Sequence, residues 1–232
     1  MQLKYSIILP CYNEYGNLKL LIPKILNIFK NKNFEILVVD DNSSDQTTIK
    51  LKKKFEINNR IKYILRKKNR SLGLSVKEGV LISKGRTIIV MDTDFNHKPA
   101  DLKKMLYLYE TQSVDMICGS RFLKGGFSSS TFRHFTSLMF NYFLNFVTNG
   151  KQTDNLSGFF ILKKNLIAMP LSKIFYGYGE YYIRLLFYLQ KKKITIKEMP
   201  VKYGVRKYGI SKSKLVTMFV IYTYHALKLI IK

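Results

Sequence analysis

The sequence predicts an α/β protein with a mostly parallel central sheet and helices on both faces. Two observations carry that expectation. Short apolar runs at 3–9, 35–39, 61–65, 87–91 and 115–118 have the length of buried strands. Between them, at 15–31, 44–55, 74–83 and 99–109, apolar residues recur at helical spacing. Strands alternating with helices build a parallel sheet through right-handed crossovers, which sets the carboxyl ends of the strands along one edge. Ligands of open α/β sheets bind at that edge.

Taken in order, each early strand runs into a polar cluster. The first begins almost at Met1, with no signal-peptide pattern before it, and ends in Pro10–Cys11–Tyr12–Asn13–Glu14. Tyr12 offers a ring for a base to stack on. Glu14 suits either a ribose or base edge or the start of a helix. The second strand ends in Asp40–Asp41, adjacent acids that predict one carboxylate facing inward and one facing a ligand. Ser43, Ser44 or Asp45 then caps the helix that follows. After the third strand, Asn69–Arg70–Ser71–Leu72–Gly73 places a glycine where a backbone can approach closely. The fourth strand runs into Asp92–Thr93–Asp94. Two carboxylates one residue apart repel each other and call for a cation. Mg²⁺ and Mn²⁺ take oxygen ligands and commonly share one or two acids with substrate phosphates, so a nucleotide-diphosphate site is the first expectation.

Past Gly119 the rhythm changes. Residues 131–147 form an aromatic-rich helical stretch, followed by a strand near 159–162, a helix at 180–192 and a strand at 194–203. Residues 215–231 are almost wholly apolar apart from His225 and Lys228. That stretch is short for a membrane span, and it suits a helix lying on a membrane or a core or dimer helix equally. Arg121, Arg133, Arg206 and Lys212 are candidates for an anion cage, the last two in a Gly- and Ser-containing loop able to close over phosphates.

Composition narrows the class. The 232 residues suffice for one sizeable domain, and 47% apolar content excludes a disordered chain. A net charge of +25 attracts polyanions: nucleic acid, anionic lipid or phosphorylated small molecules. A nucleic-acid module would interleave basic residues with exposed aromatics. The stretch Phe132–Phe146 holds one arginine, so no nucleic-acid partner is expected. A non-catalytic lipid-binding protein would leave the acids after the strands unexplained. Two cysteines without metal-ligand spacing predict neither a zinc site nor a disulfide framework, and favour a reducing compartment.

Several motifs occur in one order: Pro10–Glu14, Val38–Ser43, Leu72–Gly73–Leu74, Met91–Asp92–Thr93–Asp94–Phe95–Asn96–His97, Gly119–Ser120–Arg121–Phe122, Ser157–Gly158–Phe159 and Arg206–Lys212. Together they resemble the inverting family-two glycosyltransferases, most closely the dolichyl- and polyprenyl-phosphate mannose synthases. The resemblance implies a GT-A-type nucleotide-diphospho-sugar transferase domain at 1–210, with the apolar helix at 211–232 appended. By position, Pro10, Tyr12, Glu14, Val39 and Asp41 would hold the nucleoside. Asp92 and Asp94, with Asn96, would bind Mg²⁺ or Mn²⁺, and Thr93 would contact the nucleotide-sugar. Arg121, Arg206 and Lys212 would meet the donor phosphates, and Arg133, with Ser137, the acceptor phosphate. Asp92, Asp94 and Arg121 would carry the chemistry, while His97 reads as structural.

The implied reaction moves a hexose, mannose from GDP-mannose, onto a polyprenyl phosphate. The alternative is another nucleotide-sugar with a glycan or lipopolysaccharide hydroxyl as acceptor, for which Glu180 is the candidate base. Phe160, where many relatives carry arginine, and the segment Gly179–Arg184 depart from the mannose-synthase pattern. No transmembrane hairpins follow the catalytic stretch. Attachment is therefore expected to be peripheral, on the cytoplasmic face, through an anionic membrane surface or a small membrane-anchoring subunit.

Overall fold

The structure, a computed structural model, describes residues 3–56, 58–127, 131–167, 171–192, 194–204, 208 and 215–231. The first half alternates strand and helix: β1 (Tyr5–Cys11), α1 (Tyr15–Ile28), β2 (Phe34–Asp40), α2 (Thr47–Lys54), β3 (Ile61–Leu65), α3 (Leu72–Ile82), β4 (Thr87–Val90) and α4 (Pro99–Thr111). Then come β5 (Met116–Ser120), α5 (Thr131–Thr148), β6 (Phe160–Lys163), the short α6 (Leu171–Ile174), α7 (Glu180–Lys191), β7 (Ile196–Pro200) and α8 (Leu215–Ile230). The strands form one sheet in the order β3-β2-β1-β4-β6-β5-β7. The short α6 and the 3₁₀ turn Lys164–Ile167 before it were not foreseen in the sequence.

One expectation is corrected. The carboxyl ends of the strands do not all share an edge, because β6 runs antiparallel to both β4 and β5. Val90 pairs with Phe160, so the start of β6 lies beside the end of β4. That inversion brings Ser157 and Gly158, which precede β6, to the same edge as Asp92 and Asp94.

Alternation along the strands divides the core in two. Ile7, Leu9, Ile36, Val38 and Ile89 pack against α1 and α4 through Leu18, Leu21, Ile25, Leu102 and Met105. Ile8, Leu37, Val39, Ile88 and Val90 pack on the other face against Val76 and Val80 of α3 and Leu185, Leu186 and Leu189 of α7. A third cluster joins α5, α7 and α8 through Phe140, Leu144, Ile183, Tyr222 and Ala226.

At the sheet edge away from the acid pair, a buried carboxylate ties four segments together. Glu35 accepts from Ser6 Oγ (2.7 Å), the Lys84 N–H (2.6 Å) and Lys62 Nζ (2.6 Å). Burial pushes its pKa up, but the bonds from Lys62, Lys84 and Ser6 outweigh burial and hold it below the ordinary value.

Candidate active site

Three asparagines shape the loops that leave the first three strands. Asn13 (φ 57°), Asn42 (φ 63°) and Asn69 (φ 55°) all adopt the left-handed conformation that asparagine tolerates better than most residues. The Asn13 N–H donates to Ser43 Oγ at 2.8 Å, tying the first loop to the second.

The adjacent acids Asp40, the last residue of β2, and Asp41 are both buried and take different partners. Asp40 is buried and accepts from the N–H and hydroxyl of Ser43 (2.9 and 2.5 Å) and of Thr48 (3.1 and 2.6 Å), fastening the loop to α2. The N-cap of α2 is Gln46, in the left-handed conformation and without a side-chain cap bond, rather than Ser43, Ser44 or Asp45; Asp45, just before it, accepts from the Thr47 N–H at 2.9 Å. Asp41 lines a cavity of about 650 Å³ at the sheet edge. It accepts from the Ser71 N–H at 2.6 Å and pairs with Arg66. Burial raises the Asp41 pKa against the pull of both partners.

Tyr12, Glu14, Asp92, Thr93 and Asp94 line the same cavity. Arg70 stacks over the Tyr12 ring at 4.3 Å. Glu14 is buried and accepts from Asn17 Nδ2 at 2.5 Å. Asn17 Nδ2 also reaches the carbonyl of Tyr208 at 3.2 Å. A Cβ on Gly16 would meet the Tyr208 ring at 2.9 Å, so a glycine there lets Tyr208 sit on the start of α1.

Asp94 is buried while the Asp92 side chain is partly open to solvent. Asn96 donates to both Asp94 oxygens, from N at 3.0 Å and from Nδ2 at 2.9 Å. Phe95, between them, is held at φ 68°, a strained conformation for a bulky residue. The Gly204 N–H donates to the Asn96 carbonyl at 3.0 Å, and a Cβ on Gly204 would collide with the Phe95 carbonyl. Among the described residues no three His, Cys, Asp or Glu side chains cluster as a metal cage. Two carboxylates with one amide suit a hard divalent ion whose remaining ligands come from phosphate and water.

His97 is structural. Its Nδ1 accepts the Asp92 N–H at 2.8 Å, so its proton sits on Nε2, which donates to Tyr203 Oη at 3.1 Å. Tyr203 in turn donates to the Ser157 carbonyl at 3.0 Å. The imidazole stacks on Phe159 with ring centroids 4.5 Å apart. This chain of bonds locks the acid loop against β6.

Arg121 lies elsewhere than the cavity wall. Its Nε and Nη2 close on Asp154 at 2.8 Å each, and its own N–H donates to the same carboxylate at 3.1 Å. The guanidinium lies between the rings of Phe122 and Tyr203. Burial works against its charge, but Asp154 outweighs that and raises its pKa. Behind this pair, Glu198 of β7 accepts from the Thr153 N–H and hydroxyl and the Asp154 N–H. Burial raises its pKa.

The other expected residues are distributed as follows. Pro10 lines the cavity, whereas Val39 is fully buried in the core beneath it. Gly73 does permit a close approach, but to protein: a Cβ there would stand 2.5 Å from the Tyr176 carbonyl. Arg133 falls in the first turn of α5, with its side chain outside the described residues, as are Arg206 and Lys212 entirely. Ser137 is half-buried on α5. Phe160 is buried in β6. Glu180 does not line the cavity; it is buried and accepts the Tyr178 N–H at 2.9 Å, with His225 Nε2 at 3.9 Å.

Several cavity groups escape a sequence reading. Tyr178, Tyr181, Tyr203, Met218 and Tyr222 also line the cavity, Tyr181 from α7 and Met218 and Tyr222 from α8. Asp154 had one signal, an acid three residues before Ser157–Gly158 in a chain with few acids.

Residues 6–168 match the family model for glycosyl transferase family 2. The chain is 32% identical over 226 residues to the dolichol-phosphate mannosyltransferase of Pyrococcus furiosus, covering 94% of this chain and 61% of that protein. It is 28% identical over 217 residues to the dolichyl-phosphate beta-glucosyltransferase of Mus musculus, covering 85% and 66% respectively. The chain thus spans less than two thirds of the length of each. Among solved structures, glucosyl-3-phosphoglycerate synthase from Mycobacterium tuberculosis, in complex with Mn²⁺, UDP and phosphoglyceric acid, superposes with a TM-score of 0.74. That match is 16% identical and covers 97% of this chain and 78% of the other, a shared GT-A fold.

Proposed function

Because the chain belongs to glycosyl transferase family 2, we propose that this glycosyltransferase moves a hexose from a nucleotide-diphospho-sugar to a polyprenyl phosphate with inversion. Mannose from GDP-mannose is the preferred donor. The observation that carries the proposal is the cavity itself: Asp92, Thr93 and Asp94 line it together with Tyr12, Glu14 and Asp41.

Tyr12 and Asp41 would hold the nucleoside, the ring by stacking and the carboxylate by accepting from a base edge. Asp92 and Asp94, with Asn96, would hold Mg²⁺ or Mn²⁺. When bound, that ion offsets the charge that develops on the departing nucleoside diphosphate. The bonds from Asn96 and the His97–Tyr203–Ser157 chain keep both acids in place before donor arrives. Arg121, paired with Asp154, braces the Tyr203 ring that faces the cavity.

An acceptor phosphate is already a nucleophile and needs positioning rather than a base. The engagement of His97 and the placement of Glu180 off the cavity support that acceptor over a sugar hydroxyl, which must lose a proton. Glucose in place of mannose is the second reading, favoured by the mouse glucosyltransferase among the relatives.

Two measurements test this. A thermal-shift screen of GDP-mannose, UDP-glucose and other diphospho-sugars with Mn²⁺ should single out one donor by a raised melting temperature. Incubation of labelled donor with polyprenyl phosphate, followed by organic extraction, should carry label into the solvent phase. Label that stays only in water-soluble glycan overturns the acceptor assignment.

A further inference from the structure

Two hydroxyls of the cavity are left over by the metal, nucleoside and phosphate contacts. Ser157 lines the cavity and is 4% exposed, and its Oγ has no partner among the described residues. A buried hydroxyl without a bond costs free energy, and the staggered wells of a serine χ1 let that hydroxyl turn to meet a ligand. Tyr181, also buried, lines the same cavity from the first turn of α7. Gly158 takes φ 67°, and a Cβ there would stand 3.3 Å from Tyr181 Oη, so the bare glycine brings the serine and the tyrosine together. Burial, and after it the charge of Asp92, push the Tyr181 pKa well above its ordinary value, so the phenol keeps its proton and donates.

Position and charge identify what the pair meets. The Ser157 carbonyl accepts from Tyr203, Tyr203 Oη accepts from His97, and His97 Nδ1 accepts the Asp92 N–H. The serine is thus tied by a short chain of bonds to an acid assigned to the metal. In a nucleotide-sugar the hexose is the group attached to the diphosphate which that metal would hold. A phosphate of the acceptor would call for cations here. Among the described residues lining the cavity the one cation is Arg70, and it stacks on Tyr12. Beside Ser157 stand neutral phenols, Tyr181 and Tyr203. A neutral sugar ring, with apolar C–H faces and several hydroxyls, fits aromatic rings that carry a few placed polar atoms.

We infer that Ser157 Oγ and Tyr181 Oη hydrogen-bond ring hydroxyls of the transferred hexose and so set which sugar the enzyme accepts. The inference rests on the proposed nucleotide-sugar donor and not on the identity of the acceptor.

Isothermal titration of the full chain in Mn²⁺ separates the sugar from the nucleotide. GDP-mannose and UDP-glucose are the donors, with GDP and UDP as their sugar-free controls. Tyr181→Phe and Ser157→Ala each remove one hydroxyl and leave the Ser157 carbonyl to Tyr203. Each should weaken binding of the better donor about tenfold and change that of the matching nucleoside diphosphate by less than about twofold. Analogues of that donor deoxygenated at C2, C3, C4 or C6 of the sugar then locate each contact. At one carbon, loss of the hydroxyl should weaken wild-type binding about tenfold and the matching variant no further. The melting temperature of Ser157→Ala should not fall, because its Oγ holds no bond in the free protein. Equal weakening of donor and nucleoside diphosphate, or additive losses at every carbon, overturns the inference and leaves the donor reading intact. A wild type that binds neither donor overturns both. Non-additive losses at one carbon without label in the lipid phase overturn the acceptor alone and sustain the inference.

Discussion

Asp154→Asn is the most informative single substitution, because it removes one charge and almost no volume. In the native protein the Asp154 side chain is fully buried and that of Arg121 is 11% exposed. The carboxylate receives two guanidinium bonds, the Arg121 N–H and the Leu156 N–H at 3.1 Å. An asparagine keeps one acceptor oxygen and turns an NH₂ group toward donors. Removing one partner of a buried ion pair costs about 3–5 kcal/mol, because the other charge stays buried without compensation. For a chain of this length that lowers the melting temperature by about 6–20 °C. Urea unfolding of four proteins, wild type, Asp154→Asn, Arg121→Met and the double variant, measures the coupling. In the Arg121→Met background only the two backbone bonds remain to be lost, so the same change should cost under roughly 2 kcal/mol. A cost below about 1 kcal/mol in the wild type, or an equal cost in both backgrounds, refutes the reasoning.

Three further outcomes are expected. Asp94→Asn should lower kcat by about a hundredfold or more with every nucleotide-sugar, and unaltered turnover removes the acid pair from the chemistry. Glu35→Gln should cost about 1–3 kcal/mol at pH 7. Because the folded pKa of Glu35 lies below the ordinary glutamate value, its contribution is complete above that ordinary value and fades as pH falls through the folded pKa, so the stability curves of variant and wild type should converge in acid. Gly73→Ala should cost about 1–3 kcal/mol in urea unfolding, since its Cβ meets the Tyr176 backbone rather than a flexible side chain.

The first half of the chain was legible because its periods are clean. Each apolar run from β1 to β4 and each helix between them falls where the spacing places it, and the polar clusters after those strands do line one cavity. The direction of β6 was not legible: four apolar residues carry no sign of whether they run up or down the sheet. Val39, a strand-end position in the same run of motifs, turns its side chain into the core. Asp154 and Tyr203 act through partners 33 and 106 residues away in the chain, a distance over which local pattern says nothing. The aromatic stretch that forms α5 was visible as helical spacing, but which side of it faces water is decided by α8, far along the chain.

The cavity draws its two sides from separate stretches of sequence. The acids and Tyr12 come from residues 10–96, inside the segment shared with the family, while Tyr178, Tyr181, Tyr203, Met218 and Tyr222 come after that segment ends at 168. The two stretches are nevertheless coupled, because Tyr203 bonds His97 and His97 accepts the Asp92 N–H, so a change at Tyr203 reaches the acid loop.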